Sequence, residues 1–446
     1  MKGFLTSASF VVLASVCDAF SAVSSQAAVS SAPPTWDALA KTVDDEASVS
    51  GIDRKPLVTL YRDTNGWCPF CERVWVLLRA KGIPYEEQLV SLQKKPDWYK
   101  ALIPTALVPA VLIHGPEETN DRRIVWESAD IMQALDEEFP DTPKMVFDEN
   151  PEYQAAVQMN DDLTQAGFRF IYAGRNDTLT DDDKLERRSE FLSELDRLDA
   201  ALCEQQEHSG SFSLGKDFTA ADAIMIPTLE RWRYQLPITS DVDILESRPG
   251  LSNWFKAVDA YEPYSNRVAG DAYSWTATNS MFLRYFAGGE DNPDTARLIR
   301  RADDAAKSVD FVDAASEVEA DYRREFAVEA AAKLASNHEA VVKDCTSDDP
   351  KSQQHIGRAP NPEAADMILR YVTNLLLCSD NAISQAKNEM PSFNMEEDAA
   401  NDAAAACRIV ASRLCVPRDM SKPAASVLRA VLTIVAEKLE SSSAGE

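Results

Sequence analysis

Between Pro56 and Pro140 the apolar positions switch repeatedly between a period of two and a period near 3.6. "LVTLY" is a short β-type run, and Asp63 to Gly66 supply turn residues after it. From Cys68 onward Phe70, Val74, Leu77 and Leu78 follow helical spacing, and Gly82 stands where a helix stop belongs. "YEEQLV", "VPAVLIHG" and "RRIVWE" read as three further strands. Ser128 is then predicted to cap a helix with Ile131, Met132 and Leu135 on one face, closed by Pro140. The order is β-α-β, a linking helical stretch, then β-β-α.

After Pro140 strand signals fade. "YQAAVQMNDDLTQAGFRFIYAG" and "KLERRSEFLSELDRLDAALCEQ" have helical periodicity, with Leu192, Leu195, Leu198 and Leu202 forming a stripe in the second. "GKDFTAADAIMIPTLERW" opens another helix, whose Thr219 and Asp222 have the spacing of a capping box. Beyond "YSWTATNSMFLRYFAGG" an alanine- and acid-rich stretch keeps helical spacing to the C-terminus, without an internal repeat. The expected fold is a thioredoxin-like α/β domain over 51–140 and an all-α domain over 141–285. An additional all-α, acidic extension follows over 286–446, and 1–50 are read as leader and linker.

Charge and the N-terminus narrow the picture. A formal net charge of −28 in 446 residues argues against a nucleic-acid partner, since polyanions would be repelled. No apolar run reaches the ~18 residues of a membrane span. Lys2 followed by "FLTSASFVVLASVCDAF", with the small residues Cys17 and Ala19 two apart, has a signal-peptide layout with cleavage before Phe20. The Ser/Ala-rich, acid-free segment after it resembles the transit part of the two-part plastid leader of diatoms and related algae. It departs from that pattern in having no basic residue before Lys41. Plastid import is the expectation; the secretory pathway or ER lumen is the alternative. The eight cysteines are spread thinly, unlike a disulfide framework. Cys407 and Cys415, eight apart, read as small core residues on one helical face.

Cys68 and Cys71 form a C-x-x-C that could be a redox pair, part of a zinc site or two buried thiols. At the start of a helix, free amides and the macrodipole stabilise a thiolate, which favours Cys68 as nucleophile and Cys71 as resolving thiol. Pro69 suits the first helical turn, where no N–H is needed. Zinc would require two more ligands, and His114, His208, His338 and His355 are scattered singly, so no metal is expected. Val108-Pro109 precedes a strand; in a thioredoxin-like layout such a proline is cis and its neighbour's backbone can pair with a peptide-like ligand. Elsewhere a Val-Pro is an ordinary strand start. Glu127 and Ser128 stand at a helix mouth able to hold a carboxylate, although a serine there is more often a plain cap.

"CPFCERVWVLLRAKGI", "LQKKPDWYKALIPTALVPAVL", "ESADIMQALDEEFP" and "FTAADAIMIPTLERW" together resemble the glutathione transferase superfamily. The resemblance is to its cysteine-based omega, lambda and dehydroascorbate reductase members. It implies that Cys68 forms a mixed disulfide with glutathione, the cosubstrate, and that Pro69 and Phe70 line the site. Val108, next to cis Pro109, would pair with the cysteinyl backbone. Glu127 and Ser128 would hold the γ-glutamyl end, and Leu92 and Lys95 the glycyl end. Cys71 departs from many relatives that keep a single cysteine, which leaves a monothiol or dithiol route open. The leader, the C-P-x-C site and the long extension resemble the plastid iota class.

The function implied is a glutathione-dependent thiol transferase or reductase acting on a small or protein disulfide, or on dehydroascorbate. Many relatives form homodimers. The other readings are a non-enzymatic binding or assembly scaffold with the extension as interaction module, and an iron–sulfur cluster shared through Cys68 and glutathione.

Overall fold

The computed structural model describes residues 32–49, 55–115, 122–174, 178–309, 311, 315–348, 358–389 and 395–443. The expected signal and transit segment lies outside them up to residue 31. Within the stretch read as leader and linker, Trp36–Val49 form a helix, α1. The described residues fall into two compact units, one drawn from 52–310 and 414–425, the other from 32–49, 311–413 and 426–443.

The first unit begins with a four-stranded sheet of order β2-β1-β3-β4, made of β1 (Val58–Asp63), β2 (Tyr85–Val90), β3 (Ala110–His114) and β4 (Arg122–Trp126). β1 runs parallel to β2 and antiparallel to β3, and β3 is antiparallel to β4. The parallel pair needs a crossover, which α2 (Pro69–Ala80) provides. Central β1 is buried along its whole length, which is why "VTLY" carries no alternation. Its buried cation, Arg62, is covered by partners. Arg62 donates to Glu87 at 2.7 Å and lies 4.1 Å from the Trp75 ring centroid. Gly82 follows α2 with φ +66, the left-handed position that ends a helix, as its place in the sequence predicts.

Two short helices complete the α/β layer, α3 (Asp97–Leu102) and α4 (Ser128–Glu138). Ser128 is not the cap that the sequence predicts. It is the first helical residue and is buried, while Glu127 takes the cap position with φ 68 and ψ 126. A non-glycine residue at positive φ costs on the order of 1–3 kcal/mol and marks a forced turn; here it swings the chain from β4 straight into α4.

Helices make up the rest of the unit: α5 (Pro151–Ala173), α6 (Asp181–His208), α7 (Ala220–Thr239), α8 (Pro249–Ala260), α9 (Glu262–Ser265), α10 (Ala272–Phe286) and α11 (Pro293–Lys307). The observed class is therefore a thioredoxin-like α/β domain followed by helices, as expected. Thr219 and Asp222 do form the capping box of α7. Buried Asp222 also accepts from the Ser213 amide at 2.8 Å and the Trp254 indole at 2.9 Å, so one carboxylate ties three segments together. Burial still pushes its carboxyl up.

In the second unit α1 packs on α13 (Arg324–Thr346) and α14 (Pro362–Cys378), which follow α12 (Ala315–Ala320). The Trp36 indole donates to Asp366 at 2.7 Å and stacks on His338 at 4.5 Å. Ile368, Leu369, Val372 and Leu376 of α14 are fully buried, a stripe at helical spacing. α15 (Ala382–Asn388), α16 (Glu397–Arg413) and the body of α17 (Lys422–Ser443) complete it. Cys407 is buried within α16, but that helix stops at Arg413, and Cys415 belongs to the first unit. The two thiols are buried as expected yet share no helical face, because α16 ends two residues before Cys415.

Candidate active site

The sheet register gathers the site. Tyr61 pairs with Ala110, Ala110 with Trp126, and Asp63 with Val90. The C-terminal ends of β1, β2 and β4 and the start of β3 therefore lie at one end of the sheet. From that end leave the Cys68 turn, the segment carrying Leu92 and Lys95, the Val108-Pro109 step and the Glu127–Ser128 junction. The Val108-Pro109 bond is cis.

Cys68 occupies the cap position of α2, with Pro69 as the first helical residue. Its Sγ lies 3.8 Å from the Val108 carbonyl oxygen. Cys68 and Pro69 are half-buried, Phe70 is 50% exposed and Cys71 is 1% exposed. The hydrogen bond from the Cys71 thiol holds the Cys68 thiol below its ordinary range, helped by the Cys71 and Phe70 amides and opposed by burial. Cys71 is pushed well above that range, first by burial and then by the bond it gives to Cys68. The two thiols are thus split into a nucleophile and a donor. Alkylation of Cys68 is expected to rise with pH around a midpoint below about 8.5, the free-cysteine value. Cys71→Ala should move that midpoint upward; peptide-resolved iodoacetamide kinetics would measure both, and an unmoved midpoint would refute the thiol–thiol bond.

Of the other expected contacts, Val108 is half-buried beside Cys68 and Pro109 is buried. Ser128 is buried and Glu127 exposed at the mouth of α4. Leu92 is 48% exposed and Lys95 half-buried, both on the loop after β2. His114 bonds Thr59 at 2.8 Å and the Pro56 carbonyl at 3.0 Å, which makes it a structural residue.

Several supports have no local signature. Tyr99 is fully buried and donates to the Leu107 carbonyl at 2.7 Å, fixing the backbone just ahead of Val108. Asp63 is fully buried at the end of β1; its Oδ2 accepts from the Trp67 amide at 2.8 Å while its Oδ1 has no partner. One Asp63 oxygen and the Cys68 and Cys71 sulfurs lie within 4.8 Å of one another. Under the turn, Arg231 of α7 donates to the Trp67 carbonyl at 3.1 Å and to Glu72 at 2.7 Å, and sits 4.2 Å from the Trp275 ring centroid. Burial pushes the Glu72 carboxyl up to about 8 even against the pull of Arg231. An acid and a cation in otherwise apolar helices were the available signal, since such residues are buried only in pairs.

The turn is braced from far along the chain as well. Gly66 has φ +68, and a Cβ there would stand 3.1 Å from the Pro417 ring. Pro417 is held in turn by Arg267, which donates to its carbonyl at 2.8 Å, and the Val416 amide donates to Ser274 Oγ at 2.9 Å.

Residues 67–138 match the family model described as Glutathione S-transferase, N-terminal domain, and residues 179–257 match Glutathione S-transferase, C-terminal domain. The chain is 30% identical over 201 residues to Glutathione S-transferase L3 of Arabidopsis thaliana, covering 44% of this chain and 77% of that one. It is 27% identical over 204 residues to Glutathione S-transferase DHAR3, chloroplastic, of the same plant, covering 46% and 70%. Among solved structures, glutathione transferase Omega 3C from Trametes versicolor aligns with a TM-score of 0.42 at 21% identity, over 58% of this chain and 100% of that one.

Proposed function

The chain belongs to the glutathione S-transferase family, and from that premise we propose that it is a thiol transferase or reductase in which Cys68 exchanges disulfides with glutathione. The observation that carries this reading is the division of the dithiol. Cys68 stands at a helix start with its thiol lowered, and Cys71 donates to it from the interior. The Cys68 thiolate attacks the glutathionyl sulfur of a mixed disulfide, and the substrate leaves as its thiolate. A second glutathione thiolate then attacks the Cys68–glutathione bond, which releases glutathione disulfide and regenerates the Cys68 thiolate. Burial and a raised thiol make Cys71 a poor attacking group, which supports the monothiol route.

Glutathione would lie across the end of the sheet. Its cysteinyl backbone pairs with Val108 beside Pro109, its γ-glutamyl end meets Glu127 and Ser128, and its glycyl carboxylate meets Lys95 beside Leu92. Pro69 and Phe70 line the sulfur. The other half of the substrate is a small or protein thiol, or the reactant is dehydroascorbate. A plastid address is favoured by the leader composition and by the chloroplastic name of one relative. A homodimer would match the habit of many relatives.

The test is to incubate Cys71→Ser with glutathione disulfide and map the adduct. One glutathione on Cys68 is expected, with turnover of a glutathione mixed disulfide kept within a few-fold of wild type because serine retains a donor. Loss of turnover in Cys71→Ser would transfer the resolving step to Cys71. No adduct and no turnover in either protein would leave the scaffold reading.

A further inference from the structure

The geometry points to a second use of the same turn: Asp63, Cys68 and Cys71 form a reversible site for a thiophilic divalent cation, with zinc as the fitting ion. This inference rests on the dithiol of the proposed reaction but not on its turnover.

Three observations lead to it. The Cys68 and Cys71 sulfurs and an Asp63 oxygen lie within 4.8 Å of one another. The Asp63 side chain is fully buried, and its Oδ1 has no hydrogen-bond partner although Oδ2 has one. A buried carboxylate oxygen without a partner is costly unless something satisfies it. Finally, no ion pair reaches Asp63 among the described residues. The neighbouring guanidinium of Arg62 is engaged by Glu87 and by the Asp63 carbonyl oxygen. Three groups that are anionic when deprotonated therefore lie together with no cation paired to Asp63 among the described residues.

Sequence spacing rejects zinc because it supplies two ligands, whereas the fold supplies a third through the end of β1. Zinc takes sulfur at about 2.3 Å and carboxylate oxygen at about 2.0–2.2 Å, so the ligand atoms must close in by up to about 1 Å. Two thiolates and one carboxylate leave a fourth position for water or a glutathione thiolate. Binding displaces the thiol protons that remain, that of Cys71 above all, and moves no electrons; the cation's charge draws the proton from Cys71 although that thiol alone holds it tightly. While zinc is bound both sulfurs are occupied, so disulfide exchange stops and resumes when a chelator removes the ion.

The experiment is zinc titration of the reduced full chain against a chromophoric chelator, without glutathione. One equivalent should bind, Cys68 should become resistant to iodoacetamide, and Asp63→Asn and Cys71→Ser should each weaken binding by at least about tenfold. Asparagine keeps an acceptor for the Trp67 amide, so the turn has its hydrogen bond in that variant. Absence of one-to-one binding at micromolar zinc, or equal affinity in Asp63→Asn, would overturn the site. Should Asp63→Asn not fold, the wild-type cobalt spectrum decides. Intense tetrahedral bands with thiolate charge transfer support the site, and weak octahedral bands reject it. Turnover of the metal-free protein is measured alongside: turnover without zinc binding removes this inference alone, and zinc binding without turnover removes only the proposed reaction.

Discussion

Cys68→Ser is expected to lower glutathione-dependent disulfide turnover by about a thousandfold or more, on the order of 4 kcal/mol of barrier. The cause is the nucleophile itself. A serine hydroxyl stays protonated under conditions in which the Cys68 thiol is already depressed below its ordinary range, and a disulfide sulfur is attacked by a thiolate. The rest of the site should survive, because the Cys68 side chain makes no cap hydrogen bond in α2 and its contact to the Val108 carbonyl is a long 3.8 Å. Glutathione affinity should therefore change by only a few-fold. Steady-state assays with a glutathione mixed disulfide, coupled to glutathione reductase, would separate the two effects. Turnover within tenfold of wild type would end the Cys68 mechanism.

The largest stability effect is expected at Arg231, which holds two buried carboxylates in check. It donates to Glu72 at 2.7 Å, and the adjacent Glu230 accepts from Tyr264 at 2.6 Å and from the Gly270 amide at 2.8 Å. Glu72 is 3% exposed and Glu230 4%, and burial raises both carboxyls despite Arg231. Arg231→Met would leave these acids without their counter-charge, a loss on the order of 3–5 kcal/mol. Urea unfolding should show it as a lower midpoint at unchanged slope. Adding Glu72→Gln to Arg231→Met should recover part of the loss, since one of the two buried acids left without its Arg231 partner is then an amide that carries no charge at any pH. If the double variant is no more stable than the single one, packing of the guanidinium on Trp275 is the main term instead.

How far the chain could be read without its structure depends on the range of the interactions. "YEEQLV" coincides with β2, and "RRIVWE" and "VPAVLIHG" bracket β4 and β3, because strand and turn chemistry are local. The capping box of α7 was legible for the same reason. Ser128 was not, because its role depends on Glu127 entering positive φ, which no side-chain pattern announces. α1 was hidden in a segment whose composition suggested a leader; its amphipathic face has meaning only once α13 and α14 are beside it. Asp63 and Arg231 were out of reach for a related reason. Each matters through a partner brought near by the fold: Asp63 through thiols one turn away, and Arg231 through Glu72 at a separation of 159 residues. The clue available was a charge in a stretch too apolar to solvate it.

The path of the chain between its two units also has a consequence for synthesis on the ribosome. α1 emerges early, yet its partners α13 and α14 begin at Arg324 and Pro362. The Pro417 contact on Gly66 arrives later still. At roughly 5–20 residues per second, the approximately 275 residues between α1 and α13 take on the order of 15–55 s to translate. During that interval α1 must wait exposed, and the turn that carries Cys68 lacks its brace. Wherever the chain emerges N-terminus first, at the ribosome or at an import pore, the Pro417 brace of the Cys68 turn arrives after all four strands.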